Sequence, residues 1–432
     1  MQPLVVFTYA PAGFGHIRVA NALMSAVPAE LTYTIFAPTD NSTESMHRFS
    51  SLNVPARHVM EFFQRGRAEV VFTRFYTRYL KHHAGSLSTQ FVELIHSQKV
   101  KPDKILVVAT HFGLAYQLGA IKSQLEKELA ATITLVVQVT DDSPQTIWYV
   151  DLADLIICPS HKTKDSLQAF ASKNRLRQVP IEVVPYPVNL DLAKILAPND
   201  VTIRADQYNP NKETPINIVI PVSGAAVGME FFLHLMHRLH QASPRFVFYV
   251  VCRKAPFTAN FLRLIKHRDY VHLFASSDYK EVVEAYKRVY LENIISAEVT
   301  KPSEQAFKAL LRADSVGGSF LLFAQPVGRQ EYDNINFLER HGLLLDPSSN
   351  AIPSPLISEV STQRGCILPN GSKASANLIL DLFDTGKLLT AFKNYSAPPQ
   401  TDELGDNGVT KFWDIMRKYM VTPRRVELRL TE

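Results

Sequence analysis

A histidine follows a glycine-containing turn near the start of the chain, in a position suited to proton transfer. The apolar run Leu4–Tyr9 leads into a turn that contains Gly13 and Gly15 and ends at His16. Glycines let a backbone approach a ligand closely. An imidazole at the start of the next helix, facing the crevice, can take a proton from an attacking hydroxyl. The alternative is that His16 only caps the helix, and the motif alone favours neither interpretation.

A second turn of small residues precedes an amphipathic segment and is suited to bind a diphosphate. It contains Ser223, Gly224, Ala225 and Gly228. Small residues expose backbone N–H groups, and a helix N-terminus attracts anions. The turn lacks the lysine and hydroxyl residue of a Walker A loop. The alternative is a close contact between a helix and the sheet.

Two polar loops after neighbouring apolar runs carry side chains that commonly hold sugar hydroxyls. The expected donor-binding residues are Lys301, Ser303 and Glu304 in the first loop and Gln330, Glu331 and Asn334 in the second. Loops that follow neighbouring strands of a parallel sheet meet at one edge, where carboxylates and amides can pair with ribose and sugar hydroxyls. Alternatively, Asp333 and Asn334 simply cap the helix that follows.

Short apolar runs alternate with longer amphipathic stretches, which predicts an α/β fold with parallel sheets covered on both faces. In the first half the predicted strands are Leu4–Tyr9, Leu31–Ala37, Lys104–Ala109, Thr132–Val139, Leu155–Cys158 and Glu182–Pro185. In the second half they are Ile216–Val222, Phe246–Cys252, Val271–Phe274, Asn293–Ala297 and Ser319–Phe323. Right-handed crossovers then give two doubly wound, Rossmann-like domains.

Prolines among polar residues after position 186 separate the two series and predict a domain boundary. We expect an N-terminal domain over 1–190, a linker over 191–214, a C-terminal domain over 215–400 and a final helix with a tail over 401–432. The helix is predicted from apolar residues that recur at helical spacing between Val409 and Tyr419.

The composition indicates a packed globular protein, since 46% of the residues are hydrophobic and 20% are charged. The formal charge of +5 permits contact with phosphate or anionic lipid and selects neither. Three widely spaced cysteines resemble neither a disulfide framework nor a zinc site, so a reducing cytoplasm is expected. Neither a signal peptide nor a membrane span is predicted, so any membrane association is expected to be peripheral.

Aromatic and cationic residues are interleaved between positions 58 and 83. The residues expected to meet an acceptor or a membrane are Arg67, Phe75, Tyr76, Arg78 and Tyr79. Such a stretch suits a bilayer interface, with aromatic anchors and cations facing anionic headgroups. The alternative is a helix with a solvated basic face over an aromatic core stripe. Nucleic acid is not expected as a partner, because no known reader motif accompanies the stretch.

These motifs together resemble the GT-B glycosyltransferases. Within that superfamily the chain is most similar to the family of monogalactosyldiacylglycerol synthase, the processive diacylglycerol glucosyltransferases and the N-acetylglucosaminyltransferase that acts on the peptidoglycan lipid precursor. The resemblance spans most of the chain. It rests on the turn Gly13–His16, the acidic loop Thr140–Asp142, the stretch Thr300–Ser303 and the loop Gly328–Glu331 with Asn334.

The resemblance implies inverting transfer of a hexose or N-acetylhexosamine from a UDP-sugar to a hydroxyl of an acceptor, expected to be a membrane lipid. An N-terminal acceptor domain and a C-terminal donor domain would flank the cleft, and the final helix would cross back to the first domain. His16 would be the base, and Asp141 or Asp142 would hold the acceptor or polarise His16. The resemblance implies no cofactor and no metal, and a place on the cytoplasmic face of a membrane.

The chain departs from the family at the donor site. Ser303 and Glu304 stand where the family has glycines, and the family's ribose-binding glutamate falls at Lys308 or Ala309. Two alternatives stay open: Glu304, one turn earlier, replaces this glutamate, or the nucleotide is held differently. Two other functions stay open: a nucleotide-sugar epimerase or hydrolase on the same fold, and a relative that binds a nucleotide sugar without turnover.

Overall fold

The computed structural model describes residues 3–10, 14–38, 66–224, 226–345 and 362–421, without the side chains of 66–68 and 421. Within these ranges the chain forms two α/β units, each built on a six-stranded parallel sheet. The predicted α/β fold class is confirmed.

The first sheet is formed mainly by apolar strands buried between two layers of helices, as their composition requires, whereas the edge strand β2 is largely exposed. Its strands are β1 (Leu4–Thr8), β2 (Thr32–Phe36), β3 (Lys104–Ala109), β4 (Thr132–Gln138), β5 (Leu155–Cys158) and β6 (Ile181–Val183). The helices are α1 (Phe14–Met24), α2 (Gly66–His82), α3 (Gly85–His96), α4 (Phe112–Leu129) and α5 (His161–Lys173). The order β2-β1-β3-β4-β5-β6 places the carboxyl ends of β1, β3 and β4 side by side.

The region between the sheets, predicted as a linker over 191–214, contains two helices, α6 (Leu190–Ala193) and α7 (Pro198–Tyr208). Arg204 of α7 is fully buried. Its guanidinium donates to the carbonyl oxygens of Ala313 at 2.9 Å and Ser315 at 2.5 Å. These bonds fix α7 to the second unit.

The second sheet repeats the plan. Its strands are β7 (Ile216–Pro221), β8 (Phe246–Arg253), β9 (Val271–Ser276), β10 (Ala297–Thr300), β11 (Phe320–Phe323) and β12 (Gly365–Ile367), in the order β12-β11-β10-β7-β8-β9. Its helices are α8 (Met229–Ala242), α9 (Ala259–Ile265), α10 (Tyr279–Glu292), a 3₁₀ helix (Glu304–Leu310), α11 (Arg329–Arg340), α12 (Ser372–Asp384) and α13 (Lys387–Lys393). Strand β10 begins four residues later than predicted because Asn293 still closes α10, its N–H donating to the Val289 carbonyl.

The final helix, α14 (Gly408–Val421), returns to the first unit, as predicted. Trp413 is buried, and its indole N–H donates to the Leu23 carbonyl at the end of α1 at 3.0 Å. Its ring also meets Phe7 of β1 edge to face. The apolar stripe of α14 therefore completes the core of the first unit.

Glycine is the one residue type that fits at position 408, at the start of α14. A Cβ at this position would lie 2.1 Å from the Pro185 carbonyl oxygen and 2.7 Å from that of Tyr186. Both contacts are backbone carbonyl oxygens, so an added methyl group fits only if the backbone of one segment shifts. We therefore expect Gly408→Ala to lower the free energy of unfolding by about 1–3 kcal/mol, as overpacking does. Thermal unfolding measures the loss. Gly85→Ala is the control, since its Cβ would meet nothing within 4 Å, and an equal effect of both variants would contradict the prediction.

Candidate active site

His16 lies in the first turn of α1 and bonds to the end of a neighbouring strand. Its Nδ1 is 2.5 Å from the carbonyl oxygen of Thr110, which follows β3. A carbonyl oxygen only accepts, so Nδ1 carries the proton and Nε2 of the neutral ring keeps the lone pair. The Thr110 hydroxyl donates to the His16 carbonyl at 2.9 Å, and Trp148 packs beside the imidazole. These contacts orient an imidazole whose Nε2 can accept a proton.

Asp141 lies near His16, linked to it through Thr140. The Thr140 hydroxyl is 3.4 Å from His16 Nδ1 and 3.5 Å from Asp141 Oδ2. Burial raises the pKa of the Asp141 carboxyl to about 7; the hydrogen bond from Asn334 opposes this rise, and the negative charge of Glu304 adds to it. Near neutral pH, Asp141 can therefore act either as a proton donor or as an acceptor.

Asp142 was expected to share the catalytic role, but its contacts favour a structural one. Its carboxylate is fully buried and accepts bonds from the hydroxyls of Ser160 and Thr163 at the start of α5. Its other oxygen pairs with Arg340 of α11 at 2.7 Å. The backbone N–H of Asp142 donates to Asn334 Oδ1 at 2.9 Å. Asp142 thus joins the two units beneath the cleft.

The two predicted donor loops do meet at one edge of the second sheet. The Lys301 ammonium donates to the Gln325 carbonyl at 2.6 Å, which joins the loops after β10 and β11. Ser303 bends the first loop, its N–H bonding to the Lys301 carbonyl. In the second loop the Val327 N–H donates to Glu331 Oε2 at 2.6 Å, and burial raises the pKa of Glu331. The geometry agrees with the clustering expected from the sequence.

Several of these residues reach across the cleft to the first unit. Asn334 is fully buried, and its Nδ2 donates to Asp141 Oδ1 and to the Pro302 carbonyl, both at 3.1 Å. Gln330 lies 3.3 Å from the Gln145 side chain. Asn334 lies inside α11, which begins at Arg329 after the N-cap Gly328, so it does not cap this helix. Its contacts hold the acidic loop against the donor loops.

Glu304 forms an ion pair with Arg18 of α1, also across the cleft. A Cβ on Gly15 would lie 3.2 Å from Glu304 Oε2, so the glycine makes room for this carboxylate. Burial alone raises the pKa of Glu304, but Arg18 and the Ser303 hydroxyl lower it, and the net shift is downward. A ribose bound at Glu304 would have to share the carboxylate with Arg18.

Lys308, at the position expected for a ribose-binding glutamate, is instead part of a buried cluster. It pairs with Glu298, which also accepts bonds from the hydroxyls of Tyr286 at 2.7 Å and Tyr290 at 2.6 Å. Burial lowers the pKa of Lys308 to about 8, while Glu298 opposes that shift. The cluster anchors the 3₁₀ helix that presents Glu304.

The predicted diphosphate turn precedes α8. Ser223 and Gly224 follow the end of β7, and Ala225 lies outside the described residues. Gly228 caps α8 with φ +88°, a conformation that favours glycine. The turn thus places the N-terminus of α8 beside the carboxyl end of β7, the geometry that suits an anion.

Helix α2 carries the residues expected to meet an acceptor or a membrane. Val71, Phe75 and Tyr79, one turn apart, form an outer stripe whose side chains are 52%, 73% and 55% exposed. Arg78 is exposed beside them. Tyr76 was expected on this surface but faces inward: it stacks on Phe72 and meets Phe112 edge to face. The side chain of Arg67 lies outside the described residues.

A pocket lies between α1, residues 186–192 and α10. Arg18 and Glu304 line it, whereas His16 and Asp141 do not. The candidate active site is therefore defined by the groups that can transfer protons and not by this pocket.

Two further features concern the described residues only. No helix among them is long and apolar enough to cross a bilayer. Within the same ranges, no three or more His, Cys, Asp or Glu side chains are grouped so as to hold a metal ion. The expectation of a metal-free reaction stays a prediction.

Comparisons by sequence find no matching protein family and no matching curated protein. Solved structures do match. A Listeria monocytogenes protein provisionally assigned as a UDP-N-acetylglucosamine 2-epimerase has a TM-score of 0.52 at 12% identity, over 98% of this chain and 98% of its own. S. aureus MnaA, solved with UDP, has a TM-score of 0.49 at 12% sequence identity, over 97% of both chains. Acinetobacter baumannii MurG has a TM-score of 0.46 at 11% sequence identity, over 97% of this chain and 100% of its own.

The fold of this chain is GT-B: two doubly wound domains, a cleft between them and a final helix that crosses back. The fold predicted from the sequence is thereby confirmed. At 12% identity the likeness to the Listeria monocytogenes protein concerns the fold alone. The closer resemblance to lipid glycosyltransferases stays a prediction.

Proposed function

We propose that this protein is an inverting glycosyltransferase that moves a hexose or N-acetylhexosamine from a UDP-sugar to an acceptor hydroxyl. The geometry of His16 carries the proposal. Its Nδ1 donates to the Thr110 carbonyl, so Nε2 carries the lone pair at the carboxyl end of the first sheet, where ligands of α/β folds gather. A single oriented base is what one-step inverting transfer requires.

In the proposed reaction the acceptor hydroxyl gives its proton to His16 Nε2 as its oxygen attacks the anomeric carbon. The new C–O bond forms on the face opposite the bond between the anomeric carbon and the diphosphate. That bond breaks, UDP leaves, and the configuration at the anomeric carbon inverts. Backbone N–H groups at the start of α8 offset the charge that develops on the diphosphate. Gln330 and Glu331 orient the sugar, Asn334 holds the acidic loop beside them, and the closed cleft excludes water.

A membrane lipid is the proposed acceptor, supported by the outer stripe of α2. Three large apolar side chains exposed on consecutive turns are unusual for a surface with no partner. Cations at Arg74 and Arg78 flank the stripe, and His82 and His83 follow at its end. Aromatic residues beside cations suit the headgroup region of an anionic bilayer. The proposed location is the cytoplasmic face of a membrane.

Removing the aromatic part of the outer stripe is expected to weaken vesicle binding. Burying one large apolar side chain contributes about 1.5–3 kcal/mol, and 1.4 kcal/mol is a factor of ten. We therefore expect Phe75→Ser with Tyr79→Ser to lower partitioning onto phosphatidylglycerol-containing vesicles by at least about tenfold, measured by sedimentation. Leu291→Ser, which removes a 48% exposed leucine from α10, should leave binding unchanged. Equal binding by the stripe variant would contradict the prediction.

An epimerase or hydrolase on the same fold is the second candidate, and the titration of Asp141 favours it. A carboxyl with a pKa of about 7, close to the carboxyls of Glu304 and Glu331, can donate or accept a proton at a sugar carbon or a leaving group. Such an enzyme needs no acceptor. It would convert a UDP-sugar to its epimer, or to UDP and free sugar, without vesicles.

The deciding experiment incubates a panel of UDP-sugars with and without diacylglycerol-containing vesicles and follows UDP, sugar and glycolipid by NMR and mass spectrometry. UDP release with glycolipid formation only when vesicles are present supports the transferase. An epimer or free sugar formed without vesicles supports the second candidate and overturns the first. Binding of a UDP-sugar with no product under either condition would favour a relative that has lost turnover.

A further inference from the structure

Glu69 is a buried carboxylate of α2 whose two oxygens bond to opposite sides of the cleft. It lies in the first turn of α2 and is only 8% exposed. Oε1 accepts from the backbone N–H of Thr146 at 2.7 Å. Oε2 accepts from the guanidinium of Arg329 at 2.6 Å. A buried charge is costly unless it is paired and hydrogen-bonded, and here it is both.

The partner in the first unit belongs to the catalytic side. Thr146 begins the 3₁₀ turn Thr146–Trp148, which directly follows the acidic loop. Its hydroxyl also lies 3.0 Å from that of Thr73, so α2 holds the turn at two points. Trp148, at the end of the same turn, packs beside the ring of His16. A shift of Thr146 would therefore move a neighbour of the candidate base.

The partner in the second unit belongs to the donor side. Arg329 is the first residue of α11, the helix that carries Gln330, Glu331 and Asn334. Its Nε lies 3.5 Å from Asp333, which accepts a bond at 2.7 Å from Ser143, the residue after the acidic loop. The Glu69–Arg329 pair thus lies beside the Ser143–Asp333 contact and adds a second link between the first unit and α11.

We propose that Glu69 is a positioning residue, which through Arg329 and Thr146 holds the start of α11, with its expected sugar-binding residues, in register with the candidate base. The inference rests on the proposed function for its effect on turnover, and on geometry alone for the link itself. Glu69 touches neither His16 nor the expected sugar residues directly. Its removal should therefore impair transfer more than nucleotide binding.

The test compares Glu69→Gln, Arg329→Gln and the double variant. Glutamine keeps an acceptor for the Thr146 N–H and removes the charge that pairs with Arg329. Each single variant is expected to lower kcat about 10- to 100-fold with KM for the UDP-sugar within about threefold. The double variant should be no slower than either single one, since both remove the same link. Glu93→Gln, on the exposed face of α3, is the matched control.

Hydrogen exchange of the ligand-free protein separates this proposal from the proposed function. In both single variants, peptides covering 141–148 and 327–334 should exchange faster together, and in Glu93→Gln neither should. Joint loosening without turnover of any UDP-sugar by the wild type would leave the link standing and overturn only the transferase. A fall in melting temperature with unchanged kcat, or exchange that rises in one loop alone, would overturn the positioning role.

Discussion

Replacing His16 with alanine is expected to lower kcat for sugar transfer by about 10²- to 10⁴-fold, the usual contribution of a positioned general base. Affinity for UDP should change by less than about threefold, because the proposed diphosphate contacts come from the Ser223–Gly228 turn and the start of α8. Steady-state kinetics with the preferred UDP-sugar and calorimetric titration with UDP measure the two quantities. The loss should fall on kcat, since the base acts in the transition state.

The matched control for His16→Ala is His237→Ala, which removes an exposed imidazole from the surface of α8. It should retain full activity. A second variant tests orientation: Thr110→Val removes the hydroxyl that bonds the His16 backbone while keeping the carbonyl that fixes Nδ1. It should retain most of the activity. If His16→Ala turns over as fast as His237→Ala, the imidazole is no base, and the carboxyl of Asp141 becomes the leading candidate.

Much of the fold and the outline of the site follow from local sequence patterns. Apolar runs of strand length mark the sheets, and polar residues placed directly after those runs must lie at the carboxyl edge. This rule finds His16 after β1, Asp141 after β4 and Lys301 after β10. Applied to β3 it also points to Thr110, which belongs to no recognised motif but directly follows an apolar run. Helical spacing likewise predicted α14 and its buried face.

Contacts between the two units could not be predicted in the same way, because they join residues far apart in sequence that share no period. The Arg18–Glu304 pair spans 286 positions, and Glu69–Arg329 spans 260. Whether a polar residue faces ligand or another domain depends on how the units meet. The same reason explains Asp142, whose partner Arg340 lies on α11. Lys308 is a different case, because its carboxylate partner Glu298 lies in the same unit, only ten positions earlier on β10.

Helix α2 shows a second limit of sequence patterns. Aromatic residues at 72, 75, 76 and 79 all suit an interface by composition. Only the rotation of the helix against α4 decides which of them are exposed, and it places Tyr76 under Phe72 and against Phe112. The outer stripe therefore includes Val71, which is not aromatic, and excludes Tyr76, which is aromatic.

Replacing Arg340 with methionine is expected to lower the free energy of unfolding by about 3–5 kcal/mol at pH 8, the usual loss when a buried charge loses its partner. The carboxylate of Asp142 is fully buried, while Arg340 is partly exposed. The negative charge left behind in the variant is therefore not solvated by water. Burial already raises the pKa of Asp142, and the Ser160 hydroxyl and Arg340 lower it. Without Arg340 this pKa rises further.

The sign of the pH dependence follows from that rise. A carboxyl whose pKa is higher in the folded state than in the unfolded state binds more protons when folded, so stability falls as pH increases between the two values. The loss caused by Arg340→Met should therefore be smaller at pH 5 than at pH 8, by scanning calorimetry. Adding Asp142→Asn should recover most of the loss and remove its pH dependence.

Lys387→Met breaks the more exposed pair with Asp381 and should cost no more than about 1 kcal/mol. If Arg340→Met costs no more than this control at pH 8, Asp142 is not held by Arg340, and the junction beneath the cleft depends on Asn334 instead.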